Sequence, residues 1–337
     1  MRLGLDAMGG DYAPAEPVMG ALAAREMLGE GDEIILVGDE AAIREHLETG
    51  SGWESFIRIV HAPEVIGMDE VPVESLRGKP NSSIARLAEM ARRGEVDAII
   101  SAGNTGACVA ASQMRLRRLR GVVRPGIAIV IPTFYGPVTM CDVGANVNCR
   151  PRHLYQYAIM ASEYARGICG IEDARVGLLS IGQEDAKGNL LVKETRELLR
   201  GDPTLHFVGN VEGRDLFQDA CDVVVTDGFV GNVALKLMEG LAEGLFMSLL
   251  ESFSRAGSTV GDELHRSVAE IRERYDFNEY GGAPLLGVNG ISIICHGASR
   301  CRGIANAVRV AREFAHSKIN ERIMERIAQC QGTAHEC

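Results

Sequence analysis

Short apolar runs recur along the chain, each closing in a small polar turn, with longer stretches of helically spaced apolar residues between them. The runs at 3–6, 33–38, 56–60, 98–101, 127–132, 138–142, 176–180, 206–210, 223–226 and 291–295 read as strands. The stretches at 18–28, 41–47, 84–93, 152–166, 191–199 and a long one from about 301 read as helices. A further helix from 227 carries the stripe Leu237, Leu241, Leu245, Phe246, Leu249, Leu250 and Phe253 at helical spacing. Strands that are apolar throughout and alternate with helices predict a mostly parallel sheet covered on both faces, an α/β fold. The pair around Tyr135-Gly136-Pro137 reads as a hairpin, and 263–275 as a charged helix. The segment 62–80, with three prolines and Arg77-Gly78-Lys79, reads as a long functional loop.

Composition narrows the picture. With 337 residues and 46% hydrophobic content the chain can bury a large core, read as a single domain over 1–337 with a projecting helical segment at about 237–275. A net charge of −11 argues against general nucleic-acid binding. Nine scattered cysteines without a C-x-x-C pair favour reduced thiols over a zinc site or a disulfide framework. The chain enters a strand at once and holds no apolar run near the ~20 residues of a spanning helix, so a cytoplasmic protein is expected.

The turns carry the candidate chemistry. His296, Gly297 and Ser299 follow one strand and precede a long helix, whose first amides lack internal partners and form an anion site. Similar turns follow the other strands, and in open α/β sheets ligands bind where such turns gather, which predicts one shared cleft. No G-x-G-x-x-G follows the first strand and no Walker pattern appears, so neither a dinucleotide nor a nucleoside triphosphate is supported. Lys187, before glycine and a helix start, reads equally as a phosphate ligand or a surface lysine. His296 reads equally as an acid–base group or a structural ring. Arg115, Arg117, Arg118 and Arg120, expected along a helix end, form either a solvated face or a dock for an acidic partner. The 237–253 stripe fits core or dimer packing, or contact with a membrane surface.

Seven blocks in this order resemble the bacterial phosphate acyltransferase (PlsX) family. They are Asp6-Ala-Met-Gly-Gly-Asp11, Gly103-Asn-Thr-Gly106, Asp142-Val-Gly-Ala-Asn146, Gly209-Asn-Val-Glu-Gly-Arg-Asp215, Asp227-Gly-Phe-Val-Gly-Asn232, Gly281-Gly-Ala-Pro-Leu-Leu-Gly287 and His296-Gly297 with Ser299. The third block departs from the family's usual Asn-x-Asp-Cys at Asn148. The resemblance implies transfer of a fatty acyl group from acyl carrier protein to inorganic phosphate, giving acyl phosphate for phospholipid synthesis. It also implies a three-layer sandwich similar to isopropylmalate dehydrogenase and phosphotransacetylase, a homodimer and no organic cofactor; no metal is expected. On it, His296, Lys187 and Asn232 are the expected catalytic residues. Asp6, Gly9, Gly10, Asn104, Thr105, Gly106, Asp142, Asn146, Asp227, Gly228 and Ser299 are expected at the substrates, and Arg115, Arg117, Arg118 and Arg120 at the carrier.

The chemistry agrees: phosphate is already a nucleophile and a thioester already activated, so the protein must supply anion binding, alignment and oxyanion donors. Phosphate is expected among Gly103–Gly106, Lys187–Gly188 and His296–Ser299. Weak peripheral membrane contact is expected of the helix end at Phe246, Leu249, Leu250 and Phe253. Two alternatives stand beside this reading, an isopropylmalate-type dehydrogenase with a metal on clustered aspartates and a non-catalytic scaffold for acyl carrier protein.

Overall fold

The computed structural model describes residues 1–47, 52–254, 268, 271 and 280–333. Eleven strands form one sheet in the order β3-β2-β1-β4-β11-β10-β5-β6-β9-β7-β8. They are β1 (Arg2–Asp6), β2 (Glu33–Gly38), β3 (Ile57–His61), β4 (Ala98–Ser101), β5 (Gly126–Thr133), β6 (Gly136–Cys141), β7 (Arg175–Leu179), β8 (His206–Val211), β9 (Val223–Val225), β10 (Ala283–Leu286) and β11 (Ile291–Ile294). All neighbours pair in parallel except β11–β10, β10–β5 and the β5–β6 hairpin. Those antiparallel pairs split the sheet into two parallel halves of opposite direction, β3 to β11 and β6 to β8.

The helices are α1 (Ala15–Ala23), α2 (Glu40–Glu45), α3 (Pro72–Gly78), α4 (Ser83–Arg92), α5 (Thr105–Arg115), α6 (Pro151–Tyr164), α7 (Leu190–Arg200), α8 (Gly228–Ser254), α9 (Cys301–His316) and α10 (Ile319–Thr333). Alternate strand residues enter opposite cores. Ile35, Val37, Ile99, Ile131, Met140 and Val224 face a core that spans the sheet and takes in Leu87 of α4, Ala111 of α5 and Leu235 of α8. Their neighbours face the other side, Ile34, Leu36 and Ile100 under α1 and α9, and Ala128, Val130 and Val225 under α6 and α10. The inner strands are thus buried on both faces, which is why their sequences read as continuous apolar runs, while the edge strands β3 and β8 are partly exposed.

Three expectations change. The 62–80 segment folds a short helix, α3. The block Gly281–Gly287, not among the expected strands, supplies β10. The arginine segment is not helical throughout: α5 ends at Arg115 and Arg117 is left-handed (φ 65°), with Leu116 and Leu119 buried as anchors. Of the segment expected to project, α8 is described as far as Ser254. The glycine-serine stretch and the charged helix expected at 263–275 lie outside the described residues, apart from Val268 and Ile271.

Candidate functional site

The strand directions sort the predicted turns into two groups at opposite ends of the sheet, where the sequence predicted one cleft. The turns after β1, β4 and β11 meet at one end. Asp6 is buried; its Oδ2 accepts from Ser101 Oγ (2.6 Å) and its Oδ1 from the Met8 amide (3.0 Å), while the Gly103 amide donates to Ser101 Oγ (3.0 Å). Burial pushes the Asp6 carboxyl upward, opposed by the Ser101 and Ser83 hydroxyls and the Met8 and Gly9 amides. A Cβ on Gly9 would lie 2.6 Å from both Asp6 Oδ2 and Gly103 N, so only glycine lets these turns touch. The Asp11 amide donates to Gly297 O (2.8 Å), closing the third turn onto the first.

Several expected ligands at this end are occupied by the protein itself. Asn104 caps α5 by accepting from Ala107 N (3.0 Å), and its Nδ2 donates to the carbonyls of Gly67, Met68 and Glu70 (3.1 Å each). It fastens the 62–80 segment to α5. Gly106 leaves room for Pro72, 2.5 Å from where its Cβ would be. Thr105 is exposed at the first turn of α5 and Ser299 is buried, its amide bonded to His296 O (2.9 Å). The N-terminus of α9, expected to take an anion, takes Glu16: its carboxylate accepts from Cys301 N (2.6 Å) and Arg300 (3.0 Å).

The second group follows β6, β9 and β7 at the other end. Asp142 is fully buried, its carboxylate accepting from the amides of Ile127, Gly144, Ala145 and Asn146 at 2.7–3.1 Å. Burial pushes its carboxyl up and those amides oppose the rise. Asn146 spends its Nδ2 on Pro125 O (2.6 Å) and Tyr157 OH (2.8 Å). Asp227 caps α8 through the amides of Phe229 and Val230, and Gly228 donates to Asn146 O (2.9 Å). Gly231 lies against Asp142, whose carbonyl oxygen would be 1.9 Å from an added Cβ. Asn232 is exposed beside Gly144. Lys187 lies in the β7–α7 loop, its stem over Gly182 and its amide on Glu184 O (2.9 Å); no described contact brings it to the Gly103 or His296 turns.

Helix α8 connects the two ends. It starts at the second group and runs back over the sheet, so that Lys236, eight residues or about 12 Å along its axis, reaches the first. There Lys236 Nζ lies 2.8 Å from His296 Nε2 and 2.7 Å from Glu239 Oε2, while His296 Nδ1 accepts from Ala298 N (3.1 Å). Asn232 and Lys236, four apart, share a helix face. Sequence reading missed Lys236 because a lysine mid-helix has no turn beside it to mark it.

The four arginines expected at the carrier are all exposed. Arg115 meets Glu89 at 3.7 Å and Arg118 donates to Val123 O. No group of three or more His, Cys, Asp or Glu among the described residues could hold a metal ion, and no helix there is long and apolar enough to cross a membrane.

Residues 1–322 match the model of the family described as fatty acid synthesis protein. The chain is 46% identical to a phosphate acyltransferase of Desulforamulus reducens, over 98% of this chain and 99% of the relative. It is 48% identical to one of Pelotomaculum thermopropionicum, over 97% and 95%. The fold is similar to a phosphotransacetylase of Streptococcus pyogenes (TM-score 0.63, 16% identity, 94% of each chain). It is also similar to a branched-chain phosphotransacylase of Enterococcus faecalis (TM-score 0.57, 13% identity, 93% and 98%).

Proposed function

We propose, from the premise that this chain belongs to the phosphate acyltransferase family and is an acyltransferase of fatty acid synthesis, that it moves the acyl group of acyl-acyl carrier protein onto inorganic phosphate, with Lys236 and His296 receiving the phosphate. One observation carries the placement. A neutral imidazole has one N–H and one lone pair. The Ala298 amide takes the lone pair of His296 Nδ1, which leaves the proton on Nε2, facing the Lys236 ammonium at 2.8 Å. Two donors confront each other until an acceptor comes between them. A phosphate oxygen accepting from both resolves the conflict, with Glu239 holding Lys236 in place from its other side.

Asn232, one helical turn earlier on the same face, is the donor proposed for the thioester oxygen as charge develops there. Phosphate then attacks the thioester carbonyl: the new C–O bond forms, the C–S bond breaks, and the thiolate leaves with the carrier. Lys187 is proposed to act at the same end as Asn232, on the donor side. The remaining expected residues, Asp6, Gly9, Gly10, Asn104, Asp142, Asn146, Asp227 and Gly228, shape the turns that hold these groups. The carrier is acidic and the chain carries −11, so docking needs a local positive surface, which Arg115, Arg117, Arg118 and Arg120 offer. A homodimer pairing through α8, with weak peripheral membrane contact at its far end, completes the reading. The dehydrogenase alternative fits poorly, because the Asp142 carboxylate already accepts from four amides and, among the described residues, belongs to no cluster that could hold a metal.

The test is turnover of palmitoyl-carrier protein with phosphate, followed as acyl phosphate formed and thioester lost. Lys236→Ala and His296→Gln should each raise the phosphate KM or lower kcat by roughly one to two orders of magnitude, as expected for a lost charge-assisted contact. Reversal of Arg117 and Arg120 to Glu should raise the carrier KM and leave the phosphate KM unchanged, with a salt dependence that fades. Normal phosphate kinetics in folded Lys236→Ala would place the phosphate elsewhere, and the same experiment on Lys187→Ala would then say whether it lies beside β7. Carrier binding with no turnover would support the scaffold reading instead.

A further inference from the structure

A second basic feature stands apart from the Lys236–His296 pair. A cavity of about 680 Å³ opens where the loop after the Asp142 turn meets the start of α6 and the segment between α5 and β5. Arg118, Arg124 and Arg150 line it together with His153, Gln113 and Asn148, and no carboxylate among the described residues does. In a chain of net charge −11, three guanidiniums gathered without an acidic neighbour are unexpected. None of the three has an ion-pair partner among the described residues. Cys149, also in the wall, adds no negative charge, because burial pushes its thiol up to about 11.

His153 is an independent sign of a ligand. It is only 7% exposed, and its Nδ1 accepts from the Arg150 amide (3.2 Å). The ring proton therefore sits on Nε2, which has no partner among the described residues. Burial, and then the nearness of Arg124 and Arg150, holds the ring's pKa down, so it stays a neutral donor. An N–H donor without a protein acceptor, in a wall of cations, suits an anion with oxygens to spare.

We propose that this cavity binds the phosphate groups of a phosphorylated ligand, with Arg118, Arg124 and Arg150 on the phosphate oxygens and His153 Nε2–H as a further donor. The volume suits a ligand of nucleotide size, well beyond a single orthophosphate. Occupancy would be felt at the Asp142 turn, since Asn146 bonds Pro125 and Tyr157, the neighbours of Arg124 and of the His153 helix. The same phosphate-ester chemistry has two sources, a free metabolite or the phosphate-bearing arm of the acyl donor.

The experiment is calorimetric titration of the full chain with pyrophosphate and with adenosine 3′,5′-bisphosphate, at fixed salt. An Arg124→Ala/Arg150→Ala variant and a His153→Phe variant are compared with wild type, with melting temperature as the check on folding. Binding of at least one probe to wild type, weakened ten-fold or more in the double variant and several-fold in His153→Phe, is the expected result. No binding of either probe at millimolar concentration overturns the proposal, as does equal binding to a folded double variant. If the probes bind as expected, the kinetics of the double variant assign the source. A carrier KM raised in parallel marks the donor's arm, and an unchanged one marks a free metabolite. Binding needs no turnover, so these outcomes stand whatever the donor proves to be.

Discussion

At the scale of single residues, the polar side chains of the turns divide into those the fold consumes and those it leaves available. Asn104, Asn146, Asp142 and Asp227 bond groups of the protein's own turns and helices, whereas Asn232 and the Lys236–His296 pair face outward from α8 and the β11 turn. The glycines mark the same boundary from the other side. Gly231 is the sharpest case: an added Cβ would come 1.9 Å from the Asp142 carbonyl oxygen, a backbone atom that cannot move aside without breaking the Asp142 turn. Gly231→Ala should therefore destabilise the protein by roughly 1–3 kcal/mol or more, read by chemical denaturation. The same change at Gly213, where nothing lies within 4 Å, should stay within about 1 kcal/mol. Equal midpoints for the two variants would mean that the β6 and β9 turns are not pressed together as described.

At the scale of elements, the 62–80 segment shows what the sequence could and could not reveal. The prolines and charges mark it as irregular, but nothing local says that Asn104 binds three of its carbonyls, because that contact joins residues more than thirty apart. Strands were legible for a simple reason, since burial on both faces leaves an unbroken apolar run. Their directions were not: β10, a four-residue strand, reverses the sheet, and with it the expectation of one cleft. The segment's inner clasp gives a pH test. Glu70 accepts from Lys79 Nζ (2.5 Å) and the Gly67 amide (2.6 Å), and the Lys79 bond, then the Gly67 amide, lowers its pKa from the ordinary 4.5 to about 2. A lowered folded pKa means that the clasp contributes above the unfolded value and fades as pH falls from about 4.5 toward 2. Hydrogen exchange across 62–80 should be faster in Glu70→Gln than in wild type at pH 6, and the difference should close as the pH drops through that window. A gap that stays constant with pH would remove Glu70 as the titrating clasp.

At the scale of the whole molecule, α8 is the element whose surface the single chain leaves unfinished. Its inner face reaches the core through Leu235 and Met238, but Leu237, Leu241 and Leu245 are 69, 62 and 55% exposed and recur every four residues, a stripe on the outer side. Leu249 extends it toward the helix end, while the side chain of Phe253 lies outside the described ones. Burying such side chains gains roughly 1.5–3 kcal/mol each. A second copy laying its own stripe against this one would cover the near part, where the sheet supports the helix from behind. On the proposed reading the far part would be left for a bilayer surface, at an affinity that the chain's negative charge would keep low on anionic lipid. The two contacts separate by mutation. Leu237→Glu with Leu241→Glu should shift the sedimentation coefficient to that of a monomer, whereas Leu249→Glu with Leu250→Glu should leave the dimer intact and abolish flotation with liposomes. A near-stripe variant that stays dimeric would move the subunit interface off α8. Equal flotation of wild type and the far-end variant would take the helix end away from the membrane.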